Sequence, residues 1–386
     1  MGQIKGLELT SKGMDRLFSP TRVGALELAN RIVMAPMTRS FSPNGVHGPD
    51  AAAYYRKRAE NGVGLIITEG TWIPHRGAGD EENVPAFHGD AALAAWAHIL
   101  SEVHSAGGKM MPQLWHVGLM INPKIEGIYE EAGHLHPDQC GPSGMAGGVG
   151  TPVKQLTKPM TQAEIDGVVD AFATAAATAH KMGFDGIELH GAHGYLIDQF
   201  LWEVTNVRDD EYGGTIEKRA RFAADVVAEI RARTSPDFPI SLRFSQWKGH
   251  DYDAKLVRTP QELERMLRPI VDAGVDMFDC SQRRYWEPEF EGSDMNLAGW
   301  TQNVSGIPTM TVGSVSLNNE LMATLMGESA GTTRIDQLLV MLARGDFDLV
   351  GVGRSLIANP DWARIVRDEA WDDLRPYTPS LLTELV

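Results

Sequence analysis

Eight short apolar or β-branched runs recur along the chain, most followed by a stretch rich in Ala, Leu, Glu and Arg. They are RIVMAPMTR (31–39), VGLIITEG (63–70), KMMPQLWH (109–116), FDGIELHGAH (184–193), PISLRFSQ (239–246), VDMFDCSQ (275–282), PTMTVGSV (308–315) and FDLVGVGR (347–354). Their near-continuous hydrophobicity is that of strands covered on both faces. The intervening stretches read as helices. Residues 49–62 end at Gly62 and 90–108 at a glycine pair; 161–183 open with Thr161 and Glu164 at capping-box spacing. Residues 215–234 are strongly periodic, and 335–345 precede the last run. Residues 259–274 place Pro260 at the first helical position and Gly274 at the stop, with Pro269 expected to bend or shorten the helix.

Eight strand–helix steps predict a single (β/α)₈ TIM barrel, an α/β domain over 1–386 with its core at about 17–367 and a tail at 371–386. A doubly wound sheet is the competing architecture, and strand number alone does not separate the two. The dinucleotide fingerprint is missing, however: GVGRS at 351–355 lacks the G-x-G-x-x-G spacing. Long connections after strands three and six, at 117–160 and 283–307, fall on the barrel face where catalysis occurs. They read either as pocket cover or as surface elaboration or a subunit contact.

The formal charge of −16 repels nucleic acid and anionic membranes, so neither is expected as a partner. Two cysteines, Cys140 and Cys280, cannot supply a four-thiolate cluster and are read as free thiols. No apolar run is long enough to span a membrane, and the first residues carry no long apolar segment of the signal-peptide kind. The expectation is a cytoplasmic protein, with homo-oligomerisation left open.

Polar residues gather at the strand ends: Thr38, Gln113, His190, His193, Arg243, Ser314 and Arg354. A closed barrel draws these positions around one cavity, and a bound polar ligand explains so much polarity there better than an internal network does. Glycines beside Ser314 and Arg354 on the last two strands suit a phosphate. Alternatively they are tight turns, with Arg354 serving a carboxylate. His190 and His193 read as donors to an oxygen gaining negative charge, or as part of a metal site needing further ligands, with Asp185, Glu188 and Asp198 nearby in sequence. The Tyr195 phenol, protonated near neutral pH, suits a proton donor, although the residues alone favour a core or hydrogen-bonding role. Trp72, Trp115 and Trp286 are candidate flat walls.

Three ordered segments, NRIVMAPMTR (30–39), ELHGAHGYLIDQFLWEVTNVRDDEYGGTIEKRARF (188–222) and VGVGRSLIANPD (350–361), resemble the Old Yellow Enzyme family of flavin oxidoreductases. The resemblance covers about residues 17–367. It implies an FMN-dependent ene-reductase that takes hydride from NADPH or NADH and delivers it from the flavin to the activated C=C bond of an enone. It assigns Pro36, Met37, Thr38, Gly70, Gln113 and Arg243 to the flavin ring, and Gly313, Ser314, Gly353 and Arg354 to its phosphate. His190 and His193 would bind the activating oxygen, and Tyr195 would protonate the α-carbon; no metal is implied. Thr38, where some relatives carry cysteine, looks like the classical branch; histidine at 193 replaces the asparagine of some relatives. A nitroester or nitro-compound reductase on the same scaffold, a phosphate-binding aldolase or isomerase, and a non-enzymatic carrier are the alternatives.

Overall fold

The computed structural model describes residues 2–79, 81–120, 138–147 and 152–386. Its centre is a closed barrel of eight parallel strands: β1 (Ile32–Met34), β2 (Leu65–Trp72), β3 (Met110–Trp115), β4 (Ile187–His193), β5 (Ile240–Lys248), β6 (Met277–Ser281), β7 (Thr309–Val312) and β8 (Leu349–Val352). They pair in chain order, and β8 closes on β1. Every residue of β2 and β5 is buried, which is why these runs read as nearly unbroken. Each crossover carries a helix. Gln162–Met182 opens on the Thr161–Glu164 capping box and stops at a left-handed Gly183. Pro260–Asp272 starts on Pro260, and the helix continues past Pro269 by three residues.

Two apolar layers result. The larger packs the outer face of the barrel against its helices. The smaller fills the interior at the N-terminal end, where Val33, Leu65, Ile67, Met111, Met277, Met310 and Leu349 meet Val23, Leu26 and Leu28. Those last three belong to a hairpin, Thr21–Val23 paired antiparallel with Leu26–Leu28, which plugs the bottom of the barrel.

Four expectations change. The run at 31–39 is a strand only over Ile32–Met34; Pro36, without an N–H, leaves the ladder early. The connection at 283–307 is not all loop: helix Leu297–Ser305, N-capped by Asn296 through Gly299 N–H, is the β6–β7 crossover. In the connection at 117–160, residues 145–146 pair with 154–155, while INPKIEGIYEEAGHLHP (121–137) lies outside the described residues. Finally, a helix absent from the sequence reading, Gly2–Leu17, packs on Asp336–Arg344, and the backbone of Gly13 lies against the Leu339 carbonyl.

The final stretch is packed rather than loose. Tyr377 bridges to Ala330, and Arg39 Nη2 donates to the carbonyls of Leu381 (3.1 Å) and Glu384 (2.7 Å). Cys140 and Cys280 are both free thiols. No helix among the described residues is long and apolar enough to cross a membrane.

Candidate active site

Toward the C-terminal end of the barrel the interior turns polar, with a period of two. Glu188 and His190 alternate on β4; Ser241, Arg243 and Ser245 on β5; Asp279 and Ser281 on β6. Alternate residues of a strand share a face, so these side chains form a layered floor. Register sets Gln113 against Glu188, His190 against Arg243, and Arg243 against Asp279. Gln113 Nε2 donates to Glu188 Oε1 at 2.9 Å, and Ser241 Oγ to Glu188 Oε2 at 3.0 Å. The Gln113 amide oxygen is therefore turned away from Glu188. Arg243 Nε lies 3.0 Å from Asp279 Oδ2 without hydrogen-bond alignment, and its Nη2 donates to Ser281 Oγ at 3.3 Å. Burial, reinforced by the neighbouring charge of Asp279, raises the Glu188 pKa; burial also raises that of Asp279, against the pull of Arg243.

Above the floor, His190, His193 and Tyr195 meet. The His190 ring lies 5.3 Å from His193 and 4.8 Å from Tyr195, edge-on to both. Trp115 stacks on His190 at 5.6 Å and meets Tyr195 edge-on at 4.8 Å. His193 stacks on Trp247 at 4.2 Å. Burial first, then the Arg243 charge, pushes both imidazoles well below their ordinary pKa, so both are neutral at pH 7. The Ala192 N–H points at His190 Nδ1 at 3.4 Å, which leaves Nε2 as the protonated nitrogen. His193 Nε2 is engaged with Ser281 Oγ at 2.8 Å, so Nδ1 is its nitrogen available to a ligand. Burial, with Glu81 adding to it, raises the Tyr195 pKa further above neutral.

The second cluster sits at β7, β8 and the end of β1. Ser314 takes φ +53° after Gly313 and donates to the Arg283 carbonyl at 2.9 Å. Arg354 Nη2 reaches Ser314 Oγ at 3.4 Å, but most of its guanidinium is spent elsewhere: on the carbonyls of Asn319 and Glu320 and on Thr324 Oγ1, each at 3.0 Å. The carboxylate partner envisaged for Arg354 is replaced by backbone carbonyls. Met37 packs beside Gly353. Pro36 is buried, and Thr38 is exposed at the end of this segment.

The structure thus gathers His190, His193, Tyr195, Arg243 and Gln113 on β3 to β5 and the turn after β4, and separately gathers Gly313, Ser314, Gly353 and Arg354, with Pro36–Thr38 just past the end of β1, the strand next to β8. At Gly70 the close approach is made by Trp115: a Cβ there would lie 2.5 Å from its indole, and Trp115 in turn stacks on Trp72 at 4.4 Å. Trp286 stands apart, packed edge-on to Tyr285, and Trp247 is the wall the sequence reading overlooked. The carboxylates weighed as extra metal ligands beside the histidines are engaged with other side chains. Asp185 is bound to His104 and Lys109, Glu188 to Gln113 and Ser241, and Asp198 to Lys248. Among the described residues no three such side chains gather as a metal site. Ser281, Asp279 and Lys248 were also missed, although the alternation of polar residues on β5 and β6 is visible in the sequence.

Comparison with known proteins gives the same direction. The profile of the NADH:flavin oxidoreductase / NADH oxidase family matches residues 16–372. The chain is 34% identical over 369 residues to an NADH oxidase of Thermoanaerobacter brockii, covering 93% of this chain but only 52% of that protein, so it spans about half its length. It is 32% identical to 12-oxophytodienoate reductase 7 of Oryza sativa subsp. japonica, covering 89% of this chain and 86% of that one. An Old Yellow Enzyme homologue from Zymomonas mobilis superposes with a TM-score of 0.72 at 28% identity, over 96% of this chain and 99% of the other.

Proposed function

The chain belongs to the NADH:flavin oxidoreductase / NADH oxidase family, of the Old Yellow Enzyme type, and from that membership we propose an FMN-dependent, NAD(P)H-driven reductase of activated C=C bonds in α,β-unsaturated carbonyl compounds. The observation that carries this reading is the convergence of two neutral imidazoles and one phenol beside an arginine and an oriented amide at one barrel mouth.

The residues fit FMN. Gln113 keeps an amide oxygen and one N–H free of Glu188, the complement of a flavin pyrimidine edge. Arg243 leaves Nη1 without a protein hydrogen bond among the described residues, a cation for the flavin edge that gains negative charge. Thr38 and the Pro36–Met37 backbone would meet the ring from the end of β1, where Met37 packs beside Gly353 of the phosphate cluster. Gly313, Ser314, Gly353 and Arg354 would take the phosphate through backbone N–H groups and the Arg354 nitrogen not spent on the Asn319–Thr324 segment. FMN held there would supply the two-electron chemistry of hydride transfer from a reduced nicotinamide to the alkene.

The protein's own work is placement and charge stabilisation. His190 Nε2–H and His193 Nδ1–H donate to the carbonyl oxygen, which draws electron density from the β-carbon and stabilises the enolate oxygen as hydride arrives. Two neutral donors suit this task, since each keeps its proton through the step. Tyr195 gives its proton to the α-carbon and regains one from solvent. Trp115 and Trp247 wall the rings and limit water access.

The test is direct. Purified protein shows a flavin absorption band, the released cofactor is FMN, and the band bleaches anaerobically with NADPH or NADH and returns on adding cyclohex-2-enone. Protein that stays colourless after reconstitution with FMN refutes the reading.

A further inference from the structure

Beneath the His193–Tyr195 turn lies an ion pair with no exposed surface at either partner: Lys248 Nζ to Asp198 Oδ1, 2.7 Å. Such a pair is poor value for stability, since removing two charges from water costs several kcal/mol per ion and apolar residues of similar size often do as well. Its placement is specific. The β4–β5 register shifts between Gly191 and His193, and after that bulge His193 faces Lys248 directly. Bulges of this kind re-aim side chains beside active sites. His193 takes φ +65° and Gly194 φ +93°, a pair of left-handed residues that turns the chain between the second imidazole and the phenol. That turn leaves the Gly194 N–H pointing inward, and Asp198 Oδ2 accepts it at 2.6 Å. Two further bonds tie the same turn to β5: His193 N–H to Ser245 Oγ (2.9 Å) and Gly249 N–H to the His193 carbonyl (2.9 Å). Asp198 belongs to Leu196–Leu201, the short helix that Tyr195 opens, so a single carboxylate joins that helix, the turn and the end of β5.

We propose that Asp198 and Lys248 are positioning residues that hold the His193–Gly194 turn and thereby aim the Tyr195 phenol at the reacting carbon. The carboxylate fixes the Gly194 N–H, and the ammonium fixes the carboxylate. Neither touches substrate. Without Lys248, Asp198 is a buried charge with no counter-ion; it rotates or takes up a proton, and the turn loses its anchor. This rests on the ene-reductase reading above, and it adds a division of labour: proton delivery depends on the pair while flavin binding does not.

Three variants test it: Lys248→Met, Asp198→Ala, and Asp198→Asn combined with Lys248→Met, which keeps an acceptor for Gly194 N–H in an uncharged pair. Flavin content reports folding, and stopped-flow absorbance separates bleaching by the nicotinamide from recovery with enone. In Lys248→Met and Asp198→Ala the maximal recovery rate at saturating enone falls at least about tenfold, the size expected of a misplaced group, while maximal bleaching stays within about threefold of wild type. The double variant recovers to within about threefold. Wild-type recovery rates in flavin-replete single variants overturn the proposal. So does equal loss in both steps that the double variant fails to repair. If Lys248→Met does not fold, a folded double variant that lacks enone recovery overturns it equally. Wild-type protein that never recovers with enone instead sinks the ene-reductase reading, which keeps the two failures apart.

Discussion

Burial keeps the Tyr195 phenol protonated well past neutral pH, so a tyrosine here donates rather than accepts. Tyr195→Phe should slow alkene-dependent recovery by about a hundredfold or more and leave bleaching by the nicotinamide unchanged, measured in separate single-turnover experiments. A second residue effect concerns stability. Glu69 is buried and accepts the N–H groups of Arg39 (2.9 Å) and Ser40 (3.3 Å), just beyond Thr38. Burial outweighs those bonds and pushes its pKa up to about 7. A carboxyl whose folded pKa is raised contributes stability below its unfolded value near 4.5, and that contribution is lost as pH rises through about 7. Glu69→Gln should therefore remove up to about 3 kcal/mol of alkaline destabilisation, seen as a Tm at pH 8.5 that rises above wild type. At this scale the sequence was informative about residue types near strand ends and blind to their partners. His193 could be placed at the mouth, but its bond to Ser281 joins residues 88 positions apart.

At the scale of elements, all eight strands and six of the helices were legible, because buried runs and capping signals are local. What escaped was set by pairing. His190 was placed at the cavity from sequence, but the layer that it forms with Glu188, Asp279 and Ser281 is set by the pairing of strands far apart in the chain. Helix Leu297–Ser305 was lost in a stretch read as loop, although Asn296 is a good cap. The β2–β3 pair makes one further test. Its register shifts between Ile67 and Gly70, and Gly70 leaves the room that the Trp115 indole occupies. Gly70→Ala drives a methyl into that ring and displaces it from Trp72 and His190. Carbonyl-ligand or phenol affinity should weaken by about tenfold or more, since adding volume to a packed site costs about 1–3 kcal/mol. A spectral titration of the flavin band reads it, and unchanged affinity would show that the indole does not shape the pocket.

Over the whole molecule, the barrel divides its labour end from end. The N-terminal interior is an apolar plug built on the Thr21–Leu28 hairpin, and the C-terminal interior is polar and charged. Leu28→Ala should cost about 2–5 kcal/mol of stability while leaving ligand affinity at the mouth within error, measured by denaturant unfolding alongside flavin titration. Comparable losses in both would mean the two ends are mechanically coupled. The plug was not foreseen, because residues 21–28 look like an unremarkable lead-in until the barrel beneath them closes. A vessel stoppered at the base admits visitors only from above, so on the ene-reductase reading nicotinamide and enone come to the flavin through the one mouth and take turns. Initial rates measured over a grid of nicotinamide and enone concentrations should accordingly yield parallel double-reciprocal lines, with either guest in excess delaying the other.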